Sequence, residues 1–509
     1  MTVPAAVEAA AHGGGAAGAG ARRGGALERA QWAGRLLVAP RSLLWAAMAA
    51  YALGFSALSV LRHDAYNTGR FDLGNMVQAV WSTAHGQPLR MTDLQGDQIS
   101  RLAAHVDPIL VLFAPLWLAW PSPDLLVVVQ AVAIALGALP IFWLARKHLG
   151  SQWVALGFAL AYLLQPAGQW LALNEFHPVA LALPLLLFAF WWLDEDRLLP
   201  FAVVALLACA TKEEIPLAVS GLGLWYALSR RRWRPGLLIA LAGLAWALIA
   251  VEIVIPHFNA GASSAFYSRY GDVGGSPGGI LRAAVTHPLR IVEHAFDQQN
   301  LGYLARLALP LGVLWALSPL ALLASLPDLA LNLLSSTPAQ SSIHFHYTAG
   351  VIPGLVVASV LGAARLRRAR PAWIGGLTAA LVVLALAANW HLGAIPFWRD
   401  VWGGEKLGAY AARVSEHDRI TDRVLRQVPG DAVVSATNSL GAHLSARRRI
   451  LSFPLLLDAT WIAVDETRLS TYDRLVALPS AQRLVALRHD PRWQLVASED
   501  GILLFRQAP

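Results

Sequence analysis

The stretch LLVVVQAVAIALGALPIFWLA, residues 125–145, carries no charged side chain over a length that crosses a lipid bilayer as a helix. Similar apolar runs recur from about residue 36 to residue 391. Overall 56% of the residues are hydrophobic and only 14% are charged, against roughly 25% charged in an ordinary soluble domain. One water-soluble core cannot bury so much apolar surface, and the chain is therefore predicted to be a polytopic α-helical membrane protein.

The apolar runs predict about 11 transmembrane helices, since each helix needs roughly 20 mostly apolar residues to span the bilayer. The predicted spans are 36–60, 124–146, 152–170, 177–193, 198–210, 214–229, 236–255, 302–317, 319–335, 346–364 and 372–391. The short run 106–120 is expected to dip into the membrane without crossing it. Non-helical backbone at membrane depth is tolerated only against protein or a water-filled cavity, so several short spans together indicate a cavity.

Basic residues in short loops predict the orientation, because such loops remain in the cytoplasm. They form four clusters: Arg22, Arg23, Arg29, Arg35 and Arg41; Arg146 and Lys147; Arg230, Arg231, Arg232 and Arg234; and Arg365, Arg367, Arg368 and Arg370. We expect a multi-pass protein of a bacterial inner (plasma) membrane, with a cytoplasmic N-terminus and an extracytoplasmic C-terminal domain. The net charge of +8 follows these clusters, and no basic patch with interleaved aromatics indicates a nucleic-acid partner.

Composition divides the chain into three parts. Residues 1–34 are Ala/Gly-rich and predicted to be disordered, 35–395 form the transmembrane domain, and 396–509 are predicted to form a small extracytoplasmic α/β domain. Strand-like runs in the last part are 432–436, 461–464 and 502–505, with helical patterns near 466–476 and 480–488. Neither a G-x-G-x-x-G nor a Walker A pattern occurs there, so a nucleotide is not expected.

Asp72 opens the first segment predicted to lie outside. It precedes Leu73, Met76, Val77 and Val80, whose spacing predicts one apolar helix face near the membrane surface. The carboxylate could merely cap this helix, or it could serve as a general base at the membrane–water boundary. Asp64, eight residues earlier, is the second candidate for that base.

Two further polar corners interrupt apolar sequence. His105 and Asp107 precede a short apolar run, where the acid could bind substrate or cap the helix with Pro108 at its first position. Glu175 and His177 lie between two predicted spans. Ionisable residues at membrane depth are functional candidates, although Glu175 in a loop could simply face water.

The segment Thr211-Lys212-Glu213-Glu214 interrupts the apolar stretch from about residue 198 to 226, and Lys212 is one of only three lysines in the chain. The segment could be a neutralised ion pair at a tight turn between helices. Alternatively, Lys212 could hold a lipid-linked phosphate, while Glu213 or Glu214 positions the lysine or a sugar hydroxyl.

Arg269 and Tyr270 belong to a long polar loop that also contains Tyr267. Aromatic rings beside charged groups suit a sugar, whose faces stack and whose hydroxyls bind, but they also suit the aromatic belt of a membrane interface. No metal site and no cofactor are predicted: His344 and His346 have no carboxylate close in sequence, so a divalent cation is possible but unsupported.

The order of FDLGNMVQAVW, HVDPILVLFAPL, NEFHPVALALPLLL, TKEEIPLAVSGLGL and LPDLALNLLSS resembles a bacterial family of predicted membrane proteins that carries a domain-of-unknown-function label. The resemblance extends from about residue 56 into the C-terminal part. That family is in turn similar to the GT-C glycosyltransferases in having a first helix, an acidic motif in the first outer loop and a trailing extracytoplasmic domain. GT-C enzymes commonly have an Asp-Glu-like pair there, whereas Leu73 follows Asp72 here.

The GT-C resemblance implies a membrane glycosyltransferase that transfers a sugar from a polyprenyl-phosphate donor to an extracytoplasmic acceptor, with inversion at the anomeric carbon. Asp72 would then deprotonate the acceptor, and Lys212 and Arg269 would stabilise the departing phosphate, with membrane lipids as surroundings. Two alternatives remain open: a transporter or flippase for a lipid or solute, and a non-catalytic membrane protein that binds a partner.

Overall fold

The computed structural model describes residues 39–395, 412–470, 472–474 and 480–508; the segment 1–34, predicted to be disordered, lies outside this range. Within it, four helices are long and apolar enough to cross a membrane: Pro40–Asp64, Asp124–Leu149, Trp233–Phe258 and Trp373–Leu392. The helices Gln152–Leu163 and Pro166–Leu173 pass the same test together but meet at an angle of 49°. The described chain is thus largely helical, with four or five apolar spans.

Three shorter apolar helices, Pro178–Asp194, Leu198–Cys209 and Ile215–Ser229, cover three of the six remaining predicted spans, and Pro108–Ala119 covers the short run 106–120. The predicted count of about 11 transmembrane helices is not confirmed. In place of the spans 302–317 and 319–335, helix Gln298–Ala308 leads into short 3-10 turns and then helix Leu326–Leu333. Prolines at 310, 319 and 327 explain these breaks, because proline cannot donate the backbone hydrogen bond that continues a helix.

The remaining helices before the C-terminal domain are Asn75–Ala84, Pro277–Thr286, Pro288–Ala295 and Val351–Ala369. A β-hairpin formed by β1 (Arg90–Thr92) and β2 (Gln98–Ser100) follows the first of them.

Helix Pro178–Asp194 shows which residues lie at opposite ends of the helical region. It starts next to His177, and Asp194 at its far end binds Lys147 (2.7 Å) and His148 (3.0 Å). Arg230 also approaches Asp194, and Arg367 donates to the His148 carbonyl oxygen. Three of the four basic clusters therefore gather at one end, about 25 Å from His177 at the rise of an α-helix.

The C-terminal domain contains a five-stranded mixed sheet in the order β4-β3-β5-β7-β6. Its strands are β3 (Val434–Ala436), β4 (Ile450–Ser452), β5 (Trp461–Asp465), β6 (Trp493–Glu499) and β7 (Ile502–Gln507). Strand β3 pairs parallel with β4 and β5, while β7 pairs antiparallel with β5 and β6. The predicted strands near 432–436, 461–464 and 502–505 are all present, and the sequence prediction missed β4 and β6.

The domain's described helices are Glu416–Leu425, Asn438–His443 and Ser480–Leu487. The last of them matches the helix predicted near 480–488. The helix predicted near 466–476 is wrong over its described part, where only a 3-10 turn at Tyr472–Arg474 is present. There Asp465 accepts backbone N–H groups from Thr467 and Arg468, which fixes a non-helical turn directly after β5.

The sheet domain packs directly against the first loop of the helical region. Arg70 is fully buried and donates hydrogen bonds to the carbonyl oxygens of Thr92 (2.7 Å) and Ile450 (2.9 Å) and to the hydroxyl of Ser452 (2.8 Å). The His443 ring stacks on that of His63 at 3.9 Å. Because a buried guanidinium must satisfy its donors, these bonds fix the domain to the turn that carries Asp72.

Candidate functional site

Asp72 lies in a π-helical turn, Arg70–Gly74, that leads into helix Asn75–Ala84. The predicted apolar face is present, because Leu73, Met76, Val77 and Val80 are all buried. The side chain of Asp72 caps neither element, and within the described residues no hydrogen bond to its carboxylate is present. The carboxylate is 33% exposed, which leaves its oxygens accessible to an incoming group.

Two side chains distant in sequence accept hydrogen bonds from the backbone N–H groups of this turn, a capping role that the sequence had suggested for Asp72. Glu175 accepts hydrogen bonds from the backbone N–H groups of Gly69 and Leu73 (2.8 Å for Leu73), and Asn438 accepts one from Phe71 (3.0 Å). Burial and the nearby Asp72 raise the pKa of Glu175 to about 8. Glu175 does not simply face water, and its role here is to hold the turn on which Asp72 sits.

His177 lies next to Asp72, with its Nε2 atom 3.6 Å from a carboxylate oxygen. The other ring nitrogen, Nδ1, is 2.8 Å from the backbone carbonyl oxygen of Asn174. A carbonyl only accepts hydrogen bonds, so Nδ1 carries hydrogen, and in the neutral ring Nε2 is free to accept a proton. The geometry therefore places next to Asp72 an imidazole, that of His177, which can accept a proton from the carboxyl group.

The C-terminal domain packs next to Asp72 and His177. Tyr472 stacks on Phe71 with 4.7 Å between ring centroids, next to Asp72 in the chain. Burial, and then the negative charges of Asp72 and Glu175, raise the pKa of Tyr472. The phenol group therefore stays neutral at physiological pH and can only stack or hydrogen-bond there.

A row of stacked rings connects this pair to a cavity of about 220 Å³. His177 stacks on His346 at 3.8 Å, and His346 in turn contacts Tyr347 at 4.1 Å. His346 and Tyr347 both line the cavity, whereas Asp72 does not. The His177 ring thus separates Asp72 from the cavity wall.

Two cations meet at the ring of Tyr347 in the cavity wall. Arg269 donates a hydrogen bond to its hydroxyl (3.1 Å), and the Nζ atom of Lys212 lies 5.4 Å from the ring centroid. Lys212 is paired with Glu214 at 2.6 Å, so the ion pair considered from sequence is confirmed. Within the described residues no carboxylate pairs with Arg269, which leaves its positive charge available to an anion.

Glu213 stabilises the cavity wall through two hydrogen bonds. Its carboxylate accepts hydrogen bonds from the His105 ring (2.7 Å) and from the backbone N–H of Val106 (3.0 Å). Burial alone raises the pKa of Glu213, but His105 and Lys212 outweigh it and bring the value down to about 2. The charged carboxylate holds His105, which stacks on Phe266 in the same wall at 4.5 Å.

Most of the residues predicted for the site converge here. Those that line the cavity are His105, Lys212, Glu213, Glu214, Arg269 and Tyr270, while Asp72, Glu175 and His177 adjoin it. Two predicted residues lie apart. Asp64 is exposed at the end of the first helix, and Asp107 is buried in an ion pair with Arg101 at 2.9 Å rather than lining the cavity or capping its helix.

Sequence reasoning missed four residues of this region: Asp328, Gln340, Asn438 and Tyr472. Asp328 carries a signal that could have been used, because an acid in the apolar stretch LPDLALNLL is expensive at membrane depth. Nothing near Asn438 or Tyr472 in sequence marks them as neighbours of Asp72. Within the described residues, no group of three or more His, Cys, Asp or Glu could hold a metal ion.

Comparison with known proteins agrees with the geometry at the level of the fold. The crystal structure of ArnT from Cupriavidus metallidurans in the apo state matches with a TM-score of 0.50 and 13% identity, over 92% of this chain and 98% of that one. ArnT is a GT-C glycosyltransferase, so the GT-C-like fold expected from sequence is confirmed. No protein of curated function matches in sequence. The family described as Predicted membrane protein (DUF2079) matches residues 62–504, and the chain therefore belongs to it.

Proposed function

We propose that this protein is a membrane glycosyltransferase that transfers a sugar from a polyprenyl-phosphate donor to an extracytoplasmic acceptor. The observation that carries the proposal is the cavity itself. Its wall contains Lys212 and Arg269, and no carboxylate of the described residues pairs with Arg269. The wall adjoins the accessible carboxylate of Asp72. A fold shared with a GT-C glycosyltransferase supports the same reaction class.

The cations suit the phosphate of the donor. Arg269 presents a planar fork of donors, which matches phosphate oxygens, and Lys212 adds a compact positive charge. Burial would lower the pKa of Lys212, but Glu214 and Glu213 outweigh it and raise the value, so the lysine remains charged. Both cations would offset the charge that develops on the departing phosphate in the transition state.

Asp72 is the proposed general base. It takes the proton from an acceptor hydroxyl, whose oxygen attacks the anomeric carbon opposite the phosphate. The bond from that carbon to the phosphate oxygen breaks, polyprenyl phosphate leaves, and the anomeric centre is inverted. His177 stabilises the reacting arrangement by receiving the proton from Asp72.

The orientation proposed from charge agrees with the placement of the site. The basic clusters that favour the cytoplasm lie at the far end of helix Pro178–Asp194, and its near end adjoins Asp72 through His177. This separation of about 25 Å approaches the hydrocarbon thickness of roughly 30 Å. We therefore place the site and the C-terminal domain at the extracytoplasmic face of a bacterial plasma membrane.

Asp72→Asn tests the proposal in proteoliposomes that contain radiolabelled decaprenyl-phosphate sugars and an extract of envelope acceptors. The substitution preserves size but removes the base, so we expect transfer to fall by about 100-fold or more. Asp64→Asn is the matched control, because Asp64 is an exposed acid outside the site, and we expect near wild-type transfer.

Full transfer by Asp72→Asn would refute its role as the base. Movement of labelled lipid across the bilayer without any covalent product from the wild-type protein would instead identify a transporter.

A further inference from the structure

Asp328 is a buried carboxylate in the cavity wall that no part of the mechanism above uses. It belongs to helix Leu326–Leu333, is 5% exposed and lines the cavity with Lys212. Both of its carboxylate oxygens are buried and have no hydrogen-bond partner in the described part of the chain. Buried polar groups almost always have a hydrogen-bond partner. Two carboxylate oxygens without partners in a cavity wall therefore indicate that a ligand binds there.

The backbone opposite Asp328 is shaped around its carboxylate. A Cβ atom at Gly350 would lie 1.3 Å from Asp328 Oδ2, so only glycine fits at that position. Gly350 directly precedes helix Val351–Ala369 and lines the same cavity. The space that a side chain would fill is thus taken by the acid.

The nearby cation does not satisfy Asp328. Lys212 and Glu214 are close enough to act on Asp328 electrostatically, but the Nζ atom of Lys212 binds Glu214 at 2.6 Å. In its ionised form, the Asp328 carboxylate has only hydrogen-bond acceptors. A ligand that binds this carboxylate must supply hydrogen-bond donors. Adjacent hydroxyl groups of a sugar ring supply two such groups at the spacing of two carboxylate oxygens.

We propose that Asp328 binds the sugar of the lipid-linked donor through two ring hydroxyls, while Lys212 and Arg269 hold the phosphate. The inference rests on the proposed glycosyltransferase function and assigns the sugar-recognition residue of that site. Donor recognition is thus divided between an acid that binds hydroxyls and cations that bind the phosphate. Sugars that lack one of these hydroxyls are bound more weakly, which makes Asp328 a specificity-determining residue.

Binding measurements on purified protein in nanodiscs separate the two halves of the donor. The probes are decaprenyl phosphate without a sugar and decaprenyl phosphate linked to mannose, glucose, galactose or arabinose. For the sugar lipid that wild type binds most tightly, we expect Asp328→Asn to weaken binding by about 10- to 100-fold. Binding of sugar-free decaprenyl phosphate should stay within about twofold of wild type. Lys212→Met is the matched comparison and should weaken both lipids.

Thermal unfolding without lipid provides a second readout that does not depend on activity. An unpaired buried carboxylate opposes folding, so Asp328→Asn should unfold at the wild-type temperature or above it. Asp194→Asn is the control, because that buried acid is satisfied by Lys147 and His148, and its loss should lower the unfolding temperature.

The outcomes distinguish the two proposals. Equal weakening of both lipids by Asp328→Asn, or no change in either, overturns the role of Asp328 and leaves the transferase proposal standing. A lower unfolding temperature for Asp328→Asn also overturns it, since the residue would then be structural. If the wild-type protein binds none of the sugar lipids, both proposals fail together.

Discussion

Glu175 and Asp72 are two neighbouring acids in different environments, and each environment decides what the acid can do. Glu175 accepts backbone N–H groups and is held next to Asp72, whereas the Asp72 carboxylate is free of hydrogen bonds within the described residues. Burial and the charge of Asp72 raise the pKa of Glu175 to about 8. Glu175 is thus occupied in holding the turn, and the accessible carboxylate of the two is that of Asp72.

The raised pKa predicts a pH dependence of stability. The folded protein keeps the Glu175 proton up to about pH 8, while the unfolded chain releases it near 4.5, so stability falls as the pH rises between these values. Glu175→Gln keeps an acceptor for the turn but cannot ionise. We expect its unfolding temperature to gain roughly 3 to 6 °C on wild type between pH 4.5 and 8 and to gain no more above pH 8.

Scanning fluorimetry of both proteins across this pH range measures the difference. The exposed Glu293→Gln is the control and should show no such gain. A constant difference between Glu175→Gln and wild type would contradict the raised pKa.

Among the elements, the turn Arg70–Gly74 depends most on distant partners. Its N-terminal N–H groups are bound by Glu175 from the helical region and by Asn438 from the sheet domain. Free N–H groups at a helix start must find acceptors, and here two separate parts of the protein provide them. The position of Asp72 is therefore set by how these elements pack together.

Gly69→Ala tests whether the contact with Asn438 holds the turn Arg70–Gly74 in place. A Cβ atom at position 69 would lie 2.5 Å from the Asn438 amide nitrogen, so the amide must move and its bond to Phe71 is lost. We expect a loss of about 1–3 kcal/mol in stability and at least roughly a tenfold loss of transfer, because Asp72 shifts.

Gly54→Ala is the matched control, since no atom lies within 4 Å of the position that the added methyl group would take on the first helix. Alanine favours a helix by about 1 kcal/mol over glycine, so this variant should be as stable as wild type or more so. Wild-type transfer by Gly69→Ala would show that Asn438 does not position the catalytic turn.

The whole molecule has a basic end and an end that carries the site and the sheet domain. His63 at the end of the first helix stacks on His443 of the sheet domain, while Asp194 binds Lys147 at the other end. The proposed orientation places the sheet domain outside the cell and the basic end in the cytoplasm.

Single cysteines test this orientation in intact cells with a membrane-impermeant maleimide. Cys209 is the only native cysteine, so a Cys209→Ser background carries no other thiol. On it, Gln494→Cys in the sheet domain should be labelled from outside, and Arg231→Cys at the basic end only after lysis. Labelling in the reverse order would place the site in the cytoplasm and contradict an extracytoplasmic acceptor.

Local features of the fold could be predicted from the sequence, whereas contacts between segments distant in the chain could not. The apolar face after Asp72 followed from periodicity, and three strands of the sheet domain followed from short apolar runs; the face and the strands are present. The two predicted spans after residue 302 are not continuous helices, because proline breaks a helix even where the composition is apolar. The role of Asp107 was missed because its partner, Arg101, was not considered.

The sequence by itself determined that this is a membrane protein with apolar helices and a small C-terminal sheet domain. Apolar composition and periodicity are local properties, and each segment responds to the bilayer or to a core through its own residues. Only the tertiary structure decided which polar residues share a site. Glu175 binds a backbone N–H 106 positions away, and Asn438 binds one 367 positions away. Such contacts depend on how helices and sheet pack, which no local pattern encodes.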